Sequence, residues 1–234
     1  MSKLCKITAI ILVTTFLMSL PLTILTAEAD IVKITFTLEY DESYGRPTGG
    51  PPGQSKPPKD DADEYKIWFN RYTVGYVPME MVVYTLNPNA EVPLDNADVF
   101  MAISLAADAW DVETEASLVA DKIQRDGETA SIILNGENAL FFGDYPETGV
   151  IAVASVWASR RTKQMVECDI LFDTDFVWGV DGSSSFMDLQ NIATHEFGHC
   201  FNLADIYDTS LDYLTMYGYS TEGDIEKRSL EEGI

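Results

Sequence analysis

ATHEFGHCFNLADIYD, residues 193–208, holds both histidines of the 234-residue chain. His195 and His199 are four positions apart, so on a helix both imidazoles project from one face and can reach a single metal ion. Glu196 follows the first histidine and is rotated by about 100 degrees around the helix. A carboxylate at that position can take a proton from a metal-activated water. The spacing therefore predicts a hydrolytic metal site on a helix.

The third metal ligand has two candidates. A catalytic zinc normally takes three protein ligands and leaves one position for water, and the chain has no third histidine. Asp205 is the first choice, because it comes six residues after His199 and Asn202 between them suits a left-handed turn at a helix end. Asp212 is the alternative, since SLDYLTMYG, residues 210–218, faintly resembles the aspartate-containing second motif of the aspzincin peptidases. Both ligand sets predict the same reaction.

HEFGHCFNLAD, residues 195–205, and LTMYGYS, residues 214–220, resemble the metzincin zinc proteases, particularly the matrixin-like group. The signature of that family is HExxHxxGxxH, with a methionine turn downstream. The resemblance implies zinc ligands at His195, His199 and Asp205, and a general base at Glu196. It also places Met216 in the turn beneath the zinc.

Two positions depart from that signature. Asn202 stands where the family has glycine, and Asp205 stands where it has the third histidine, a replacement that also occurs in the snapalysin-like enzymes. The resemblance further implies that Tyr217, Gly218 and Tyr219 form part of the wall of the primed-side (S1′) pocket. In that family the strand preceding the active-site helix region lines the cleft, and a substrate chain pairs with its edge.

The beginning of the chain predicts export. Lys3 and Lys6 precede an apolar run from Ile7 to Leu25, which is followed by Ala27-Glu28-Ala29. That order is typical of a secretory signal comprising residues 1–29. The alternative is a membrane anchor formed by residues 7–25, because the run approaches the length of a membrane span.

Amino-acid composition limits the classes of protein to which the chain can belong. With 46% hydrophobic and 23% charged residues, the chain can form one sizeable core. A formal net charge of -23 argues against a nucleic-acid partner. The expected partner is a polypeptide substrate, and nothing in the sequence indicates the oligomeric state. A secreted binding domain with a structural or inactive zinc site is the non-enzyme alternative.

Two cysteines remain after the predicted signal, Cys168 and Cys200. An exported protein meets oxidising conditions, in which an even pair can form a disulfide. Two separate buried thiols are the other interpretation, because sequence spacing alone does not show that the two backbones approach each other.

A segment rich in proline, glycine and charge divides the chain. Residues 41–64 are interpreted as a linker, because such a composition buries little apolar surface. The N-terminal segment 30–64 thus carries one short β-like run, IVKITFTLEY at residues 31–40, which is either a pro-segment or a first strand. The catalytic domain is expected to span residues 65–234.

The body of the chain predicts an α+β fold, since strands come first, then a helix, then further strands and the histidine helix. The first helix is expected within residues 94–112, with Asp95 as its cap, and the second begins near the serine run 183–185. The resemblance adds a twisted mixed sheet packed against both helices, with the methionine turn below the zinc. Strands are expected in YKIWFNRYTVGYV (65–77), EMVVYTLN (80–87), ASIILN (130–135), VIAVASVWAS (150–159) and MVECDILFD (165–173).

Two further patterns lie near the end of the chain. Asp173, Asp175 and Asp181 could bind calcium, but a solvated acidic loop is the favoured interpretation of this stretch. Ser229 and Glu232 have the spacing of a capping box, which predicts the start of a last helix that the chain does not complete.

Overall fold

The computed structural model describes residues 30–41, 66–67, 79–87, 94–162 and 164–230. The predicted signal, most of the predicted linker and strand 65–77, and Glu232 lie outside these residues. Within them, no helix is both long enough and apolar enough to cross a membrane.

The described chain forms two helices, eleven strands and short 3-10 turns. The helices are α1 (Asn96–Thr114) and α2 (Leu189–Cys200), and the 3-10 turns include Thr209–Leu211 and Glu226–Arg228. The strands are β1 (Ile31–Tyr40), β2 (Lys66–Ile67), β3 (Met79–Tyr84), β4 (Val119–Arg125), β5 (Asn138–Gly143), β6 (Val150–Ser159), β7 (Met165–Asp173), β8 (Trp178–Gly179), β9 (Met187–Asp188), β10 (Leu203–Ala204) and β11 (Tyr219–Ser220).

Seven strands form one mixed sheet in the order β11-β1-β6-β7-β5-β3-β4. Strands β4, β3, β5 and β7 run parallel, whereas β6 is antiparallel to both β7 and β1. Both helices pack on one face of the sheet, where the larger apolar cluster lies, and a smaller cluster covers part of the other face. Strand β6 is buried over almost its whole length, which explains its continuous apolar sequence. A mixed sheet with two helices is compatible with the predicted α+β class.

Helix α1 confirms the expected pattern. Asp95 is its N-cap and accepts a hydrogen bond from the Ala97 amide. The predicted apolar face is buried, and Trp110 at its end donates its indole N–H to the Thr194 carbonyl at 2.9 Å. This bond joins α1 to α2, the helix that carries the histidines.

Helix α2 begins later than predicted. Its N-cap is Asp188, which accepts from the Asn191 amide at 3.0 Å, and the serines at 183–185 precede it in a turn. The prediction of a serine cap was therefore wrong. The reason is that Met187–Asp188 first pairs with Trp178–Gly179, so the chain is extended up to the cap. Arg228 forms an ion pair with the Asp188 carboxylate and fixes that end of the helix.

The strand predicted at residues 130–135 is absent, because this part of the chain is a loop. Carboxylates from β7 hold its backbone: Asp169 accepts from the Ile133 amide at 3.1 Å, and Glu167 accepts from the Asn135 amide at 3.0 Å. These side chains bind the N–H groups that a neighbouring strand would otherwise bind. The sheet instead uses β4 and β5, which flank the loop in sequence and which the sequence patterns missed.

Strand β1 belongs to the main sheet. It pairs with β6 from Ile31 opposite Ser159 to Glu39 opposite Val150. The β-like run expected at residues 31–40 is therefore a strand of the main sheet.

A disulfide joins Cys168 on β7 to Cys200 at the end of α2, with their Cα atoms 5.7 Å apart. Both residues are buried in the larger core cluster. The bridge ties the last turn of the histidine helix to a central strand of the sheet.

Candidate metal centre

Three buried side chains converge at the end of α2. The Nε2 atoms of His195 and His199 lie 3.2 and 3.4 Å from Oδ1 of Asp205. One potential ligand atom from each of the three residues lies within 4.8 Å of the other two. The structure therefore brings together the three ligands that the sequence predicts as the first choice.

Backbone carbonyls fix the orientation of both imidazoles. His195 Nδ1 lies 2.8 Å from the Thr215 oxygen, and His199 Nδ1 lies 2.9 Å from the Leu203 oxygen. A carbonyl can only accept, so each Nδ1 carries the hydrogen and each Nε2 presents a lone pair. Imidazoles that bind metals are commonly held in this way.

The chain reverses direction after α2 at Asn202, as predicted. Asn202 has a φ of 78°, and its amide donates to the His199 carbonyl at 3.0 Å. Asparagine tolerates this left-handed conformation better than most residues. The reversal returns Asp205 to the histidines, and the Ile206 amide then bonds the Met216 carbonyl at 2.8 Å.

Met216 lies against the helix beside the histidines. Its sulfur occupies the space that a side chain at Gly198 would need, and Trp110 approaches the same point at 3.1 Å. The residue before it, Thr215, holds His195. Glycine inside α2 therefore has a packing reason, and the predicted methionine turn packs directly under the histidine helix.

Glu196 is buried beside these three residues. Within the described chain, neither of its carboxylate oxygens makes a well-formed hydrogen bond, although the Ala154 backbone amide lies close enough to favour the carboxylate. Burial raises the pKa of Glu196 to about 8. A buried carboxyl without a well-formed hydrogen bond is costly to keep, so its position favours a chemical role over a structural one.

The surroundings shift the pKa values of the three potential ligands in different directions. Burial lowers the pKa of His195 to about 4. Burial also opposes the charge on His199, but the Asp205 carboxylate outweighs it and raises the pKa of His199. The same pairing holds the pKa of Asp205 below its usual value, although burial alone would raise it. Asp205 is thus kept in its charged form, which is the form of a carboxylate that binds a metal ion.

The donor set fits a divalent metal. Two imidazole nitrogens and one carboxylate are ligands that zinc accepts, and they leave a fourth position open for water or substrate. The orientation of both rings and the buried Glu196 carboxyl beside them agree with that fit. We infer that His195, His199 and Asp205 would hold the ion.

The other predicted positions lie apart from this cluster. Asp212, the alternative ligand, is exposed, so the structure does not support it. The predicted calcium set is not brought together either. Asp173 and Asp175 group with Asp144, while Asp181 accepts from the Ser183 amide instead.

The predicted S1′ segment follows the methionine turn. Gly218 packs against the Tyr207 ring, and Tyr219 lies in β11 with its ring 5.6 Å from that of Tyr207. Tyr217 forms a parallel bridge with Ile206. The three residues therefore pack beside Ile206 and Tyr207, the two residues that follow Asp205. Ser229 is extended after the last 3-10 turn.

Three residues near the cluster were missed by sequence reasoning. Phe36 stacks on His199 with ring centroids 4.2 Å apart and planes 8° apart. Burial, reinforced by the charge of Asp205, raises the pKa of Tyr207. Lys227 is buried and donates to the Tyr219 carbonyl at 2.6 Å. Only Tyr207 carried a usable signal, since it comes two residues after the predicted ligand.

No known family model matches this chain, and no curated protein matches it. The interpretation of the site therefore depends on the residues and their geometry.

Proposed function

We propose that this chain is an exported zinc-dependent endopeptidase. One observation carries the proposal: His195, His199 and Asp205 form a buried ligand set, and the buried carboxyl of Glu196 lies beside it without a well-formed hydrogen bond in the described chain. Zinc bound there would supply Lewis-acid activation of water and of the scissile carbonyl. Export rests on the predicted signal at residues 1–29.

Glu196 is the proposed proton carrier. It accepts the proton of the attacking water and later delivers it to the leaving amine, which is the usual task of a carboxylate in this position. The buried setting favours the protonated carboxyl that delivers the proton to the amine, and a divalent ion bound beside Glu196 would favour the carboxylate that accepts it from water. The carbonyls of Thr215 and Leu203 keep the two imidazoles oriented for metal binding throughout.

A metzincin-like assignment is the finer form of the proposal. The packing of Met216 under Gly198, the reversal at Asn202 and the return of Asp205 all support it. One expectation from that family needs adjustment here. Strand β7, which precedes the α2 region, lies between β6 and β5, so a substrate chain cannot pair with its edge.

One observation favours the non-enzyme alternative. His195, Glu196 and His199 have no exposed surface, and Asp205 is 4% exposed. A closed site of this kind also suits a metal that only stabilises a secreted binding domain.

Metal analysis combined with peptide digestion separates the two functions. The purified chain is assayed for bound zinc and for chelator-sensitive cleavage of a peptide library. Glu196→Gln should retain zinc and lose hydrolysis by about a hundredfold or more, because it removes the general base. Glu113→Gln, an exposed change of the same kind on α1, is the matched control. Zinc binding without hydrolysis, both in the intact chain and after the chain is cut between residues 42 and 64, would favour the binding domain.

A further inference from the structure

Strand β1 closes the metal site on one side. Phe36 is 7% exposed and stacks on His199, and Leu38 is fully buried in the core next to α2. Glu39 lies within electrostatic range of Asp205. An enzyme that cleaves polypeptides must admit a chain to its metal, so the element covering the metal ligands bears directly on access.

The contacts of β1 with the sheet are those of an extended peptide. It runs antiparallel to β6 along nine paired positions and parallel to β11 at Tyr219 and Ser220. The Tyr40 amide bonds the Gly149 carbonyl at 2.8 Å on the β6 side, and the Glu39 amide bonds the Gly218 carbonyl at 3.3 Å on the β11 side. Such backbone hydrogen bonds do not depend on side chains, so another extended chain can make them.

The position of β1 in the chain makes it separable. It precedes every other described element, and the Pro/Gly-rich segment 41–64 follows it. Its departure interrupts no connection between the remaining strands and helices. Without β1, strand β6 would present an unpaired edge beside His199 and Glu196, and an unpaired edge accepts an added strand.

We propose that β1 is an intramolecular occupant of the substrate groove between β6 and β11. Its release then lets an extended polypeptide bind there, antiparallel to β6. The inference rests on the proposed endopeptidase function and adds its substrate geometry and its regulation. It also explains why the metal ligands have almost no exposed surface in this state.

The covalent link between β1 and the rest of the chain should keep peptide hydrolysis by the intact chain slow. A covalently attached strand competes at an effective concentration on the order of millimolar, so free substrate displaces it poorly. Separating β1 from the rest of the chain removes this advantage.

The first test uses the full chain with a recognition sequence for a site-specific protease inserted within residues 42–64. Cutting followed by dilution should raise peptide hydrolysis by at least about tenfold over the uncut chain, because the strand loses its tether. A labelled synthetic peptide of residues 30–41 should bind the cut protein and inhibit it. Its binding is measured by fluorescence anisotropy in a Glu196→Gln background, where no cleavage interferes.

A pair of proline variants in the uncut chain gives a matched control. The alternation of bonds places the Ile34 amide toward β6 and the Thr35 amide toward the opposite edge, where the described strand β11 does not reach. Ile34→Pro should weaken β1 and raise the hydrolysis rate. Thr35→Pro should stay near the rate of the unaltered chain. Circular dichroism checks that both variants remain folded.

The outcomes separate this inference from the proposed function. Equal hydrolysis before and after cutting overturns the inference and leaves the endopeptidase in place. Loss of the folded signal on cutting, without peptide rebinding, shows that β1 is an integral strand and also overturns it. Rebinding of the peptide without hydrolysis supports occupancy of the groove by β1 and overturns the endopeptidase.

Discussion

Two clusters of buried polar side chains lie on opposite faces of the same sheet, and they differ in their hydrogen-bond partners. The metal cluster, His195, Glu196, His199 and Asp205, lies on the helical face. The loop-anchor pair, Glu167 and Asp169, projects from β7 on the other face, because side chains alternate along a strand. All six side chains are buried.

The loop-anchor pair is satisfied by backbone amides. Asp169 accepts from Ile133 and from Ala139, the latter at 3.0 Å, and Glu167 accepts from Asn135 and Gly136. In the metal cluster, by contrast, neither carboxylate oxygen of Glu196 makes a well-formed hydrogen bond within the described chain. Burial of a charge is therefore a poor sign of function by itself. What distinguishes the metal cluster is that three potential metal ligands converge on one point beside a buried carboxyl.

The largest expected effect is on the metal cluster. Asp205→Ala removes one of three ligands and should lower zinc affinity by more than about a hundredfold, since even residues behind the ligands are worth 10–100-fold. Hydrolysis should disappear with the metal. Zinc titration against a competing chelator measures the change. Asp212→Ala is the control, and a loss of zinc in that variant would reverse the ligand assignment.

The disulfide joins the two regions, because Cys168 lies between the loop-anchor residues and Cys200 follows His199. Replacing both cysteines with alanine should lower the free energy of unfolding by about 3–4 kcal/mol, as expected for a bridge that spans 32 residues. Denaturant unfolding measures this. Zinc content should be unchanged, since neither sulfur is a ligand. Loss of zinc at full folding would mean that the bridge positions the metal cluster directly.

The loop-anchor pair should affect stability and leave zinc unchanged. Asp169→Ala leaves two backbone amides without their acceptor and should lower the free energy of unfolding by about 2–4 kcal/mol. Asp121→Ala, an exposed change on β4, is the matched control for thermal and denaturant unfolding. If Asp169→Ala instead lost zinc at unchanged stability, the proposed contrast between the two clusters would fail.

The smallest effect is a pH dependence. Burial raises the pKa of Asp169 from 3.8 to about 6. The folded state therefore holds this proton to higher pH than the unfolded chain, which favours folding below about pH 4 and is lost as pH rises through about 6. In Asp169→Asn, the free energy of unfolding should no longer show this fall between about pH 4 and about pH 6, whereas Asp121→Asn should still show it. Identical slopes would argue against a raised pKa at Asp169.

Local patterns predicted the elements whose structure depends on neighbours in sequence. The spacing of His195 and His199, the apolar face of α1 and the apolar run of β6 each follow from periodicity within one element. The turn at Asn202 also followed from one residue and its conformational preference. These local features were sufficient to predict the three ligands.

Long-range contacts account for the rest. Residues 130–135 have strong β propensity, yet Glu167 and Asp169, more than thirty positions away, bind their backbone as a loop. Phe36 reaches His199 only because β1 pairs with β6 across more than a hundred residues. Neither contact leaves a periodic signal in one sequence.

Gly198 has a consequence for how this sequence can change. Helix propensity alone would favour alanine there by about 1 kcal/mol, so a stabilising design would choose it. A methyl group at that point would meet Met216 on one side and Trp110 on the other. An alanine at position 198 would thus force the end of the Met216 side chain out of its place and push the Trp110 ring slightly away. A smaller residue at position 216 would remove the closer of these two contacts.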